Sequence, residues 1–250
     1  MEPRIESLEK VATREFVVLS GQRCGSTLLI RSLDAASKVF CAGEILHPKY
    51  GIAIHRQEHQ FDFTSFGHPK LTIAANRFIS RRKVVRHLSN FYGSAQEGEC
   101  ARGFKLMKSQ LDWNPSVLPF LFNRGVAFIT LRRESDFDTA LSMCTAMRTG
   151  RYHSEEMAAD KSFEIPFTVF AQQFKRAEQN RLFLERFASE NECLSLNYKS
   201  LTEEWGNTIR KIGGHLGIDD LQAGQSLKKL DLSEKVTVTN LDALRERFGS

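Results

Sequence analysis

Residues 15–36, EFVVLSGQRCGSTLLIRSLDAA, decide the fold. Phe16-Val17-Val18-Leu19 is a short, unbroken apolar run, and Gly21 bounds it. Such a run reads as a strand buried on both faces, as in a parallel sheet. Residues 20–26 form a turn that holds Gly21 and Gly25, and Thr27 opens a helix with Leu29, Leu33 and Ala36 on one face. A strand, a glycine-bearing turn and a helix aim several backbone N–H groups at one point, where the helix N-terminus adds partial positive charge. That geometry binds an anion, usually a phosphate. The loop is not of the ATP type. Its end, Gly25-Ser26-Thr27, lacks the lysine of Gly-Lys-Ser/Thr, and its positive charge comes earlier, from Arg23. A tight strand–helix turn with a surface arginine would read the same way in isolation.

Around this stretch the composition is that of an ordinary globular protein, 41% hydrophobic and 26% charged. A single domain over residues 1–250 is expected, with a polar lead-in at 1–14 and helices on both faces of a sheet. The net charge of +5 suits a polyanionic ligand, a nucleic acid or an acidic surface and does not choose among them. Five cysteines without a C-x-x-C spacing read as free thiols in a reducing compartment. MEPRIESLEK has no apolar signal core and no run approaches 18 apolar residues, so a cytoplasmic protein is expected. Five of the seven histidines lie between His47 and His87, without the spacing of a metal helix, so no metal site is expected.

Val39-Phe40-Cys41-Ala42 reads as a short strand, followed by Gly43-Glu44-Ile45-Leu46-His47-Pro48. Pro48 keeps His47 out of helical geometry, which leaves Glu44 to His47 in a loop. Residues 70–92 read as a helix broken near Ser80. Its run Arg81, Arg82, Lys83, Arg86 and His87 is either a solvated face or a surface for an anionic lipid or glycan. Residues 103–107, GFKLM, are a further buried strand that carries Lys105, and Pro115 and Pro119 bracket a short helix or turn. Residues 126–131 form another strand, which runs into Arg132-Arg133-Glu134. A helix follows, opened by Ser135 or Asp136 and ended by Gly150, with Phe137, Ala140, Leu141, Cys144 and Met147 as its apolar face. Ser142 lies on it, nine residues after Arg133. A guanidinium forks onto phosphate oxygens, and a hydroxyl on the adjacent helix adds one donor. Residues 166–190 read as a long amphipathic helix and 193–198 as a strand. Ser200-x-x-Glu203 reads as a capping box for a helix ended by Gly217, residues 231–240 as a loop, and Asn240 as the cap of a last helix.

SGQRCGSTLL after a hydrophobic strand resembles the 5′-phosphosulfate loop of sulfotransferases that use 3′-phosphoadenosine 5′-phosphosulfate (PAPS). Carbohydrate-type members carry an Arg-Ser-Gly-Ser or Arg-Thr-Gly-Thr core, from which this chain departs at Cys24. The strand–Arg–helix–Ser layout resembles the family's 3′-phosphate motif, and Thr149-Gly150-Arg151-Tyr152-His153 stands where trehalose-type members carry Thr-Gly-aromatic-His. Gly43-Glu44 is similar in placement to a Gly-Glu of nodulation-factor and trehalose-type members, and GFKLM to one of their strands. Asn197-Tyr198-Lys199-Ser200-Leu201 resembles the family's Tyr-Glu-Asp-Leu box, with both acids replaced.

The resemblance covers residues 16–48 and 103–153 and hardly touches 49–100, where acceptor-binding helices or a lid are expected. It implies a P-loop-like α/β/α fold with a mostly parallel sheet, and transfer of a sulfonate to a hydroxyl of a carbohydrate or glycolipid. Gly21, Gln22, Arg23, Cys24, Gly25, Ser26 and Thr27 would hold the phosphosulfate, and Arg133 and Ser142 the 3′-phosphate. Lys105 would reach the sulfonate or the acceptor, and Lys235 would close over the nucleotide. Glu44 would be the general base, with His47, His55 and His153 as competitors. No metal and no nucleic-acid partner are implied, and related bacterial enzymes can be homodimers. Two other readings stay open at this level: a P-loop kinase of a small metabolite, and a non-enzymatic polyanion-binding protein acting through the 81–87 helix.

Overall fold

In the computed structural model, the strand Arg14–Ser20 (β1) lies at the centre of a five-stranded parallel sheet. The structure describes residues 12–47, 55–62, 73–150, 161–225 and 236–249, with 73–80, 161 and 236 described as backbone. Val39–Ala42 (β2), Ala101–Met107 (β3), Ala127–Arg132 (β4) and Leu194–Asn197 (β6) complete the sheet in the order β2-β3-β1-β4-β6. Along β1, Phe16 and Val18 enter the core on one face and Val17 and Leu19 the core on the other, all fully buried. Burying a side chain of this size is worth about 1.5–3 kcal/mol. Four in a row, alternating between faces, hold this strand in the middle of the sheet.

On the Phe16 face pack the helices Ser26–Asp34 (α1) and Trp205–Leu216 (α8), through Leu29, Ile30 and Leu33 and through Ile209, Ile212 and Leu216. On the Val17 face pack Ile73–Gly93 (α2), Val117–Asn123 (α4) and Phe167–Glu190 (α6). A third cluster joins α6 to Asp136–Thr149 (α5) and Leu241–Phe248 (α9) through Phe170, Ala140 and Leu244. The fold is therefore a three-layer α/β domain. Because every strand of the main sheet runs the same way, all five carboxyl ends open onto one edge.

Several local expectations are corrected. The helix α2 runs through Ser80 without a break, since serine costs only a fraction of a kcal/mol in a helix and neither Gly nor Pro interrupts. His87 does not join its basic face: the ring turns inward, with Nε2 2.9 Å from His59 O and the ring edge-on to Phe61. Pro119 lies within the first turn of α4, where a missing N–H leaves no bond unmade. Met147 is 46% exposed, off the buried face of α5. Ser200 caps no helix: it lies inside Tyr198–Glu203 (α7), which Asn197 caps by accepting from Ser200 N–H at 2.6 Å, and the helix ended by Gly217 is α8, which starts only at Trp205 and has no side-chain cap. Val236–Val238 (β7) is a strand, parallel to Lys161–Phe163 (β5), and not a loop. Asn240 stands before α9 but caps nothing with its side chain. Its amide accepts from Ile165 N–H and donates to Ile165 O, which pins the end of β7 beside β5.

Asp34 ties three segments together at the end of α1. Its Oδ1 accepts from Cys41 N–H at 3.0 Å, and its Oδ2 accepts from His55 Nε2–H at 2.8 Å and Arg56 Nε–H at 2.9 Å. Burial pushes this carboxyl up, but the His55, Cys41 and Arg56 donors outweigh it and hold it below the usual value. Asp34→Asn should cost about 2 kcal/mol in urea unfolding at pH 7. A group held low in the folded state stabilises above its unfolded pKa of about 3.9 and loses that contribution as pH falls through its folded value. The gap between wild type and variant should therefore close in acid, and a gap that is constant with pH would contradict this account.

Candidate active site

The loop after β1 is held open by its backbone. Arg23 and Gly25 both have left-handed φ, +59° and +81°. Glycine is required at 25 on two counts. The conformation disfavours a side chain, and a Cβ there would lie 2.8 Å from Cδ2 of Tyr198. At Gly21 a Cβ would lie 3.1 Å from Cβ of Asn180 on α6. The loop is thus gripped between α6 and α7. In the first turn of α1, Leu29 N–H finds Gly25 O at 3.2 Å. The N–H groups before it have no partner within the helix, the arrangement that receives an anion.

Side chains from α5 and β4 meet this loop. Arg23 Nε–H donates to Ser142 Oγ at 3.0 Å, so the loop cation and the α5 hydroxyl are neighbours. The Arg133 guanidinium lies 4.8 Å from the centroid of the Tyr198 ring and 3.7 Å from the Asp138 carboxylate. Arg132 pairs with Glu185 at 3.0 Å, and Arg181 holds both Glu185 and Asp136. A narrow cleft lined by Gln22, Cys24, Arg132, Arg133, Thr139 and Asn180 runs beside the loop. Cys24 Sγ–H donates to Gln22 O at 3.4 Å, and burial pushes its thiol up to about 11, so it is protonated and neutral at pH 7.

A second cluster forms at the ends of β2 and β3. Glu44 lies two residues past β2, on a turn in which Gly43 N–H donates to His55 O at 2.8 Å. Lys105, 9% exposed on β3 and opposite Val18 of β1, donates from Nζ to Glu44 Oε1 at 2.9 Å. Gln110, on the helix Lys108–Trp113 (α3), donates from Nε2 to Glu44 Oε2 at 3.0 Å. Both carboxylate oxygens are therefore engaged, one by an ammonium and one by an amide.

The residues expected from sequence divide accordingly. Gly21, Gln22, Arg23, Cys24, Gly25, Ser26 and Thr27 form the loop and the start of α1, with Ser142 and Arg133 beside it. Glu44 and Lys105 are brought together as a pair. His47 is half-buried, and its carbonyl accepts from Gln60. His55 bonds Asp34 Oδ2 through its Nε2 at 2.8 Å. Pro48, Arg151, Tyr152, His153 and Lys235 lie outside the described residues. Three contributors escape the sequence reading: Gln110, Asn180 and Tyr198's contact with the loop. Only Gln110 carried a signal, as the glutamine three residues after a helix start, and the methionine at Met107 hid it. Among the described residues no group of three or more His, Cys, Asp or Glu gathers as a metal would require.

No family model matches the chain, and no curated protein matches it. Among solved structures it is similar to the sulfotransferase domain of the Synechococcus PCC 7002 olefin synthase, at 18% identity over 88% of this chain and 77% of that one, with a TM-score of 0.50. It also aligns with a sulfotransferase from Alicyclobacillus acidocaldarius, at 16% identity over 95% of this chain and 90% of that one, with a TM-score of 0.48. The first likeness is one of fold, and it matches the parallel α/β sheet described above.

Gly25→Ala should destabilise the protein by about 2 kcal/mol or more, from the left-handed backbone and the Tyr198 contact together. Adding Tyr198→Ala should recover part of that loss by removing the clash. Urea unfolding of the single and double variants measures both, and an additive double variant would contradict the contact.

Proposed function

We propose that the protein transfers a sulfonate from PAPS to a hydroxyl of a carbohydrate or glycolipid. The observation that carries this reading is the Glu44–Lys105 pair, 2.9 Å apart, on the sheet edge that also carries the anion loop. An acid–base couple beside an anion cradle is what hydroxyl attack on an anionic group needs. The loop amides, Arg23, Arg133 and Ser142 fit the two phosphate-bearing ends of the donor. Bound PAPS supplies an activated sulfonate whose leaving group is 3′-phosphoadenosine 5′-phosphate (PAP).

Glu44 takes the proton from the acceptor hydroxyl. The acceptor oxygen bonds to sulfur, and the sulfur–oxygen bond to the 5′-phosphate breaks with its electron pair going to the phosphate oxygen. Lys105 and Arg23 offset the charge that develops on the sulfonate and the leaving phosphate. For this, Lys105 exchanges its contact with Glu44 Oε1 for the sulfonate, which leaves that oxygen open to the acceptor. No step needs a metal ion in this scheme, and positioning with charge stabilisation carries the rate. Exposed Arg81, Arg82, Lys83 and Arg86 on α2 fit an anionic part of the acceptor or the headgroups around it.

Calorimetry with PAP, AMP and ATP–magnesium tests the donor site. PAP should bind tightest, and a preference for ATP–magnesium would favour a kinase and overturn the reading. Arg133→Ala should weaken PAP about 10- to 100-fold, the equivalent of about 1.5–3 kcal/mol for a charge-assisted bond, and leave AMP unchanged. Equal losses for the two nucleotides would remove Arg133 from the 3′-phosphate.

The base is tested separately, by PAP release from PAPS with a panel of mono- and disaccharides. Glu44→Gln should bind PAP as wild type does and form it from PAPS about 100-fold more slowly. Wild-type turnover in that variant would reject Glu44.

A further inference from the structure

We propose that Gln110 is a positioning residue that holds the Glu44 carboxylate in place for proton abstraction, a role that rests on Glu44 being the base. Gln110 is only 3% exposed, and its amide is used at both ends. Its Oε1 accepts from Met107 N–H at 3.1 Å, and its Nε2 donates to Glu44 Oε2 at 3.0 Å. The orientation follows from chemistry. A backbone N–H can only donate, so the amide must turn its oxygen to Met107 and its N–H to Glu44. Lys105 has to leave Oε1 when the sulfonate arrives, whereas Gln110 is neutral, so an anion gives it no cause to leave. Glu44 therefore keeps one fixed donor through the reaction while its other oxygen changes partners.

The alternative is that Gln110 merely caps α3. The two roles separate cleanly, because glutamate caps a helix start from this position as well as glutamine does. Gln110→Glu keeps the acceptor for Met107 N–H but sets a second carboxylate oxygen against Glu44. Among the described residues, charged and titratable groups about Glu44 include Lys105 on β3 and His47, whose backbone N–H bonds Glu44 O at 2.9 Å; the Cys24 thiol in turn feels Lys105.

The test follows the Glu44 carboxyl by NMR of protein labelled with carbon-13 at the glutamate carboxyls, the resonance being assigned by its loss in Glu44→Gln. In Gln110→Glu, with thermal stability unchanged, the facing carboxylates should share a proton, and Glu44 should titrate about one pH unit or more above wild type. PAP release, measured with the best saccharide acceptor, should lose its low-pH activity over the same shift. An unmoved titration with unchanged rates would leave capping as the only role and overturn the proposal.

If Gln110→Glu fails to fold, Gln110→Leu decides. It should slow release about tenfold with PAP affinity unchanged, and slow it no further in a Glu44→Gln background. Equal slowing in both backgrounds would overturn the proposal. Wild-type turnover by Glu44→Gln alone would reject Glu44 as base, and the titration would then still report whether Gln110 holds that carboxylate.

Discussion

A left-handed turn pressed against an aromatic ring sets the rest of the site. Gly25 can take φ of +81° with Tyr198 against it only because it has no Cβ. That turn starts α1 at Ser26 and faces its first N–H groups into the loop. The same Tyr198 ring supports the Arg133 guanidinium at 4.8 Å, so one aromatic side chain sets both the shape of the anion loop and the position of a second cation. Tyr198 is itself placed by β6, an edge strand, and by the Asn197 cap that turns the chain into α7. A contact between distant elements thus sets the shape of the loop.

The Glu44–Lys105 pair makes a different kind of contribution. Taking two charges largely out of water has a desolvation cost that their mutual attraction does not reliably offset. A hydrophobic pair of similar volume often folds as well, so the pair is weak evidence for stability. They place an ammonium and a carboxylate at fixed positions beside the loop after β1. The clasp at Asp34 contrasts with it. There a carboxylate collects three donors to join α1, β2 and the 55–56 segment, and the same kind of interaction is spent on holding the architecture together.

Charge on the opposite side of the loop is arranged in a chain. Asp136 holds Arg181, Arg181 holds Glu185, and Glu185 holds Arg132. Burial pushes the Asp136 carboxyl up, opposed by Arg181. This chain fixes α5 and α6 against the end of β4, and so places both Ser142 and Asn180 at the loop.

By itself the sequence determined the elements whose signal is local. The apolar run of β1, the glycine turn, the strand leading to Arg133, and the helix ends at Gly150 and Gly217 could all be read, because periodicity and turn chemistry act over a few residues. The loop itself marked Arg23, whereas Arg133 and Ser142 were marked by the family resemblance of the segment that follows β4. What the tertiary structure alone decided is which side chains meet. Arg23 and Ser142 are 119 residues apart, Glu44 and Lys105 61, and Glu44 and Gln110 66. No local pattern encodes such meetings; they follow from the strand order β2-β3-β1-β4, which brings the ends of four separate segments to one edge. For the same reason the pairing of β5 with β7, and Asn240's bond to Ile165, stayed invisible: a three-residue strand is specified by its partner and not by its own residues.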